Sequence, residues 1–125
     1  TEPTYWKVLS DEQIKTLSKD PLIEIGSHAD NHNNLGKISL HLAKDELIYS
    51  KVKLESIIKK NILSIAYPDG SYNRELIDIA EKIGYKYQLA CGYLYKEDLG
   101  DIRILNRKGI YTHLDYHQQL SEILC

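Results

Sequence analysis

The longest periodic signal in the chain runs from about Ser39 to Lys60. There Leu40, Ala43, Leu47, Tyr49 or Ser50, Leu54, Ile57 and Ile58 recur at helical spacing with Lys and Glu between them. Upstream, Ser10-Asp11-Glu12-Gln13 places a Gln three residues after a Ser, the pattern of a capping box, and Ile14 with Leu17 continues it as a short amphipathic helix that Asp20-Pro21 stops. Leu22 to Ile25 reads as a buried strand, and Gly26-Ser27 opens a loop rich in His, Asn and Asp that runs to about Asn34. Leu63 to Tyr67 is a second strand, ended by the turn Pro68-Asp69-Gly70. Arg74 to Ile83 forms another helix, with Leu76, Ile77, Ala80 and Ile83 on one face and Gly84 as its cap, and Tyr85 to Cys91 is a third strand. Farther on, Arg103 to Leu105 and Gly109 to Tyr111 read as short strands, and Asp115 to Leu124 as a closing helix.

This alternation of helix and strand predicts an α/β fold with parallel strands joined by helical crossovers. A chain of 125 residues builds one small domain, or part of one, and no repeat, linker or low-complexity segment divides it. The 16 basic and 18 acidic residues are dispersed and sum to a net charge of -2, which disfavours nucleic acid and anionic lipid as partners. No run approaches the roughly 20 apolar residues of a spanning helix. Cys91 and Cys125 are far apart and match neither a disulfide framework nor a redox motif. The chain starts at Thr1 and holds no Met, so we expect it to be a piece of a longer translation product.

Chemistry concentrates in two loops. His28 and His32 stand four apart immediately after a strand, a separation at which two neutral imidazoles can reach one metal ion; two solvated His in a polar loop are the plain alternative. Position favours the first, because sites in parallel α/β folds gather at the carboxyl ends of strands. Asp30 is expected to accept backbone hydrogen bonds rather than to ligate, and His41 to be structural or solvated. The second loop, Ala66-Tyr67-Pro68-Asp69-Gly70-Ser71-Tyr72-Asn73, is an ordinary turn with packed tyrosines taken alone. Two special loops on neighbouring strands, however, face the same space.

Taken together, Ile25-Gly26-Ser27-His28 through His32, the helix from Lys44 to Ile58, Ala66 to Asn73, and Ile83-Gly84-Tyr85-Lys86 resemble the polysaccharide deacetylase family, carbohydrate esterase family 4. Order and spacing agree over roughly residues 5 to 111. Trp6 with Leu9 to Leu17 also resembles the helix that precedes the His motif. The resemblance implies a distorted (β/α) barrel of the NodB-like type, incomplete at its N-terminus, in which a divalent metal, commonly zinc, is held by two His and an Asp. His28 and His32 match the two His. The Asp, and a second Asp that serves as general base, belong to a motif of the Thr-Phe-Asp-Asp-Gly type that these residues do not contain; the expectation is that it lies upstream.

The chemistry so implied is hydrolysis of an acetamide by a metal-activated water, with a carboxylate taking the proton and donors steadying the oxyanion. The matching oxyanion donor is the backbone N–H of Asp69, and Tyr67, Pro68 and Gly70 would line the substrate. Departures are Ala29 where Ser or Thr is usual, Asn33 where Pro is common, Ala66 in place of an Arg, and Asp69 in place of an aromatic residue. Arg107 is the candidate to replace the lost Arg in orienting the base, its alternative being a surface or ion-paired Arg; a guanidinium far from the His28 loop would remove the idea. The family's late Leu-x-His motif has no clear match, although His113 and His117 lie in the right region.

The sequence is thus read as residues 1–125 of a catalytic domain that removes acetyl groups, N-acetyl from amino sugars first, from an acetylated polysaccharide. The family places such work outside the cell, in the periplasm or at the bacterial surface. Two rivals stand beside this reading: a glycan-binding or assembly domain that kept the fold and lost the chemistry, and a hydrolase with unrelated metal chemistry. A barrel without its first strand exposes a sheet edge, so an N-terminal continuation or an oligomer is also expected.

Overall fold

The computed structural model describes residues 8–124. Trp6 and Cys125 lie outside the described residues.

Helix α1 spans Asp11–Ser18 and opens on the expected capping box: Ser10 Oγ accepts from Gln13 N, and the Gln13 side chain accepts from Ser10 N. Helix α2 spans Leu40–Ile58, with the Ser39 hydroxyl accepting from Leu42 N at its start and Lys59 in the left-handed region (φ 56°) at its end. Helix α3, Arg74–Ile83, is capped by Asn73 and closed by Gly84 at φ 117°, a conformation that favours glycine.

Three short strands, β1 (Ser64–Ala66), β2 (Tyr87–Ala90) and β3 (Ile104–Asn106), pair in parallel in the order β1-β2-β3. Ser27 adds a parallel bridge to Ile65 on the outer side of β1. Four chain segments therefore run side by side in one direction. Helix α2 links the first to the second and α3 the second to the third, as the alternation predicts. Helix α2 packs against both α1 and α3. The core joins Leu35, Ala43 and Leu47 to Ile65, Tyr67, Leu76, Ile77, Ala80, Tyr85 and Ile104. A last helix, α4, spans Tyr116–Leu124. No helix of the described residues is long and apolar enough to cross a membrane.

Two expected strands are absent. Leu22 to Ile25 is not a buried strand: Leu22 is 93% exposed, and the segment starts in a turn in which Asp20 accepts from the backbone N–H of both Leu22 and Ile23. Those donors are spent locally, so only Ser27 reaches the sheet. Gly109 to Tyr111 forms no strand either, because the Gln119 side chain takes both backbone groups of Tyr111, accepting from its N–H at 2.7 Å and donating to its carbonyl at 2.9 Å. The third strand is shorter than expected at its start, since Tyr85 N still bonds to Ala80 O at the exit of α3.

Candidate functional site

In a parallel sheet the residues just past each strand share one rim, and the register brings four of them together here. Ser27 stands against Ile65, Ala66 against Leu89, and Ala90 against Asn106. His28, Tyr67, Cys91 and Arg107 are the next residues in each segment. Both loops singled out in the sequence therefore open on the same edge.

His28 Nδ1 lies 2.7 Å from the carbonyl oxygen of Ala66. A carbonyl only accepts, so Nδ1 carries a proton, and the nitrogen left for a metal is Nε2. The His32 ring stands edge-on to His28, with centroids 4.8 Å apart and planes at 63°. Two imidazoles this close could both reach a small divalent cation as part of its shell. Among the described residues, no group of three His, Cys, Asp or Glu side chains is assembled, so this pair could supply at most part of a metal's ligands.

The loop between the rings is strained. Ala29 (φ 65°) and His32 (φ 55°) both occupy the left-handed region, at a cost of roughly 1–2 kcal/mol each for residues with a Cβ. Ser27 Oγ accepts from Ala29 N at 3.2 Å, and the Ser27 and Ser50 hydroxyls share a hydrogen bond. The main anchor is Glu46 of α2, buried at 7% exposure, which accepts from the backbone N–H groups of Asp30 and Asn31 and from the side-chain amides of Asn31 and Asn33. Burial pushes the Glu46 carboxyl up, but these donors together outweigh it and hold it below the usual carboxylate range. Asp30 does not have the role expected of it; its carboxylate reaches only the Asn31 amide, at 3.4 Å, and the backbone donors go to Glu46. A charged residue inside the apolar stripe of α2, three residues after Ala43, was the signal for Glu46 in the sequence.

The second loop turns sharply. Gly70 N donates to Tyr67 O at 2.8 Å and Ser71 N to Pro68 O at 3.0 Å, with Asp69 at φ 54° and Gly70 at φ 66°. A Cβ on Gly70 would lie 2.6 Å from Cys91 N, so the position excludes side chains twice over. Asp69 is exposed, and its N–H has no hydrogen-bond partner among the described residues. Tyr67, Pro68 and Gly70, expected to line the substrate, are instead buried. The Tyr67 hydroxyl donates to Gln88 Oε1 at 2.6 Å, and Gln88 in turn donates to Ile77 O, which ties the ring into the core. Burial drives the Tyr67 phenol far above its ordinary range. Of the turn Pro68-Asp69-Gly70, Asp69 alone faces outward.

Arg107 reaches the same rim. Its Nη2 donates to Tyr67 O at 2.8 Å and its Nε lies 3.4 Å from Cys91 Sγ. Of its plain alternatives, the ion pair is not formed among the described residues, while the side chain is only half-buried. Consecutive carbonyls, Ala66 and Tyr67, thus carry His28 and Arg107. His113 and His117 are exposed and lie against Tyr111 and Tyr116. His41 is exposed, 3.6 Å from Asp45, the solvated position expected of it. A groove of about 590 Å³ beside the His loop is lined by Leu9, Ile14, Gly26, His28, Asp30 and Leu54, among others.

Comparison with known proteins places these features in company. The polysaccharide deacetylase family profile matches residues 4–88. YxkH of Bacillus subtilis (strain 168), a protein named for that family, is 32% identical over 78 residues, which is 62% of this chain and 28% of YxkH. The structure of the Streptococcus pyogenes deacetylase PplD in complex with acetate superposes with a TM-score of 0.76 at 26% identity, over 90% of this chain and 50% of PplD. BC0361, a polysaccharide deacetylase from Bacillus cereus, gives 0.76 at 25% identity, over 96% of this chain and 38% of its own. The chain spans half or less of the length of these relatives. Its parallel sheet and flanking helices are a part of the same distorted (β/α) barrel.

Proposed function

Because the chain belongs to the polysaccharide deacetylase family, we propose that it forms part of a metal-dependent hydrolase that removes acetyl groups from a polysaccharide, N-acetyl from amino sugars first. The observation that carries this reading is the pairing of His28 and Arg107 with the consecutive carbonyls of Ala66 and Tyr67, on a rim where the Asp69 N–H is also free to donate. The acetate held by the related Streptococcus deacetylase is the acid that such a reaction releases, and it supports the same substrate class here.

His28 and His32 would hold the metal, zinc by the chemistry of the donor set. A bound divalent cation supplies activation of water near neutral pH and polarisation of a carbonyl oxygen. The chain's own residues do the rest. Hydrogen bonding to Ala66 O fixes the His28 ring and leaves Nε2 as the nitrogen turned to a metal. The Asp69 N–H would offer an oxyanion a backbone donor that needs no rearrangement of a side chain. The Arg107 guanidinium, held against Tyr67 O, places positive charge where it orients a carboxylate base and keeps it ionised. The reading requires that carboxylate and a third ligand in addition to His28 and His32.

The test is acetate release from N-acetylated and O-acetylated oligosaccharides by the whole protein, with and without a chelator. Release that stops with chelator and returns with zinc is expected. Glycan binding without acetate release from any of them would replace the enzyme with a binding domain of the same fold.

A further inference from the structure

We infer that Glu46 is a positioning residue for the metal loop, holding His32 in the backbone conformation that brings its ring to His28. The inference rests on the reading of His28 and His32 as metal ligands. Its basis is a division of labour within one carboxylate. Oε2 accepts from the N–H groups of Asp30 and Asn31 at 2.9 and 2.7 Å, and Oε1 accepts from the amides of Asn31 and Asn33 at 2.8 and 3.1 Å. These four donors come from the residues on either side of His32, which itself sits in the left-handed region at φ 55°. A single β-carbon residue stays in that region when its surroundings over-determine it. Here the determinant comes from α2, a rigid helix, and not from the loop.

The requirement is for a carboxylate and not merely for a polar side chain. All four partners are donors, so a glutamine would turn one of its ends, an NH2 group, against a donor. Among the described residues no hydrogen bond or ion pair joins Glu46 to either imidazole, so its effect on a bound ion passes through the geometry of the loop. Such supporting groups typically change metal affinity by about 10- to 100-fold.

The experiment measures Zn²⁺ affinity of the whole protein by competition with a chelating indicator, and the Co²⁺ absorption spectrum, for the wild type, Glu46→Gln, His32→Ala and the double variant Asn31→Ala/Asn33→Ala. Thermal melting of the metal-free proteins runs in parallel. Glu46→Gln is expected to melt cooperatively, bind Zn²⁺ about 10- to 100-fold more weakly and shift the Co²⁺ bands. The double variant, which removes the Oε1 donors from an exposed loop, is expected to shift both in the same direction by less. It decides the matter if Glu46→Gln fails to fold. Metal binding abolished by His32→Ala but unchanged, in strength and spectrum, in the other variants would overturn the positioning role while leaving the metal reading intact. Metal binding unaffected by His32→Ala would overturn the metal reading itself.

Discussion

The Nδ1 atom of His28 and the carbonyl oxygen of Ala66 lie 2.7 Å apart, joining the end of one parallel segment to the end of the next. This contact links the two loops that the sequence singled out separately, and it uses only the backbone of Ala66. It also fixes the histidine tautomer, so the ring is prepared for a metal before one arrives.

Replacing His28 with Ala removes a proposed metal ligand from an exposed position and one hydrogen bond to a carbonyl. The expected result is loss of Zn²⁺ affinity by more than about 100-fold, beyond what altered support alone produces. Stability should fall by only about 1 kcal/mol. Competition titration and chemical denaturation on the same preparation check the two halves, and an unchanged affinity would remove His28 from the site.

Gly70→Ala is expected to be far more damaging to the fold. The new methyl would sit 2.6 Å from Cys91 N and 2.7 Å from Cys91 Cβ, and φ of 66° adds strain. Destabilisation of about 2–4 kcal/mol should appear as a lowered denaturant midpoint with an unchanged slope. A midpoint within experimental error of wild type would show that the turn relaxes away from β2.

The helices and the site loops were legible because their signals are local. The Ser10 box and the Gly84 terminus each act within a turn or two of chain, and the helical period of α2 and α3 survives any neighbour. The choice between Tyr49 and Ser50 was open because both fit that period; Ser50 is buried against Ser27, while Tyr49 is exposed. Strand burial was less legible, since whether Leu22 to Ile25 is covered depends on a partner far away in sequence. Tyr67 misled for a related reason: a tyrosine beside a site loop looks like a sugar platform until Gln88, twenty-one residues on, claims its hydroxyl. Glu46 escaped notice because its four partners belong to a loop whose course no periodicity describes.

Asp101 gives the fold a defined acid response. Its carboxyl is held below the usual range first by hydrogen bonding from the Arg103 side chain, against the opposing effect of burial, with further help from the Arg103 backbone and charge. Arg103 also meets Asp78 and Glu81 of α3 at 2.8 and 2.7 Å, so the pair ties the start of β3 to that helix. A carboxyl with a lowered folded-state pKa stabilises fully above its unfolded value of about 3.9 and loses that contribution as pH falls through the folded value. The unfolding free energies of wild type and Asp101→Asn should therefore differ most near neutrality and converge below about pH 4. Denaturation curves between pH 3 and 7 check this, and a constant difference across that range would contradict it.

Arg107 offers the sharpest test of how the rim works. Its guanidinium donates to Tyr67 O through Nη2 and to Cys91 Sγ through Nε, which leaves Nη1 and the full charge uncommitted among the described residues. Lysine keeps the charge but not the planar fork, whereas glutamine loses both. If the residue orients and ionises a carboxylate base, Arg107→Gln removes a nearby positive charge and raises that base's pKa. The acid limb of the kcat/KM profile should then move to higher pH, with a fall of about 10- to 100-fold at neutrality. Arg107→Lys should keep the limb near its wild-type position while losing rate through poorer alignment. A merely structural arginine would lower activity evenly at all pH values in both variants. Parallel profiles for Arg107→Gln and wild type would therefore remove the residue from the chemistry and leave it as a strap between β3 and the Pro68 turn.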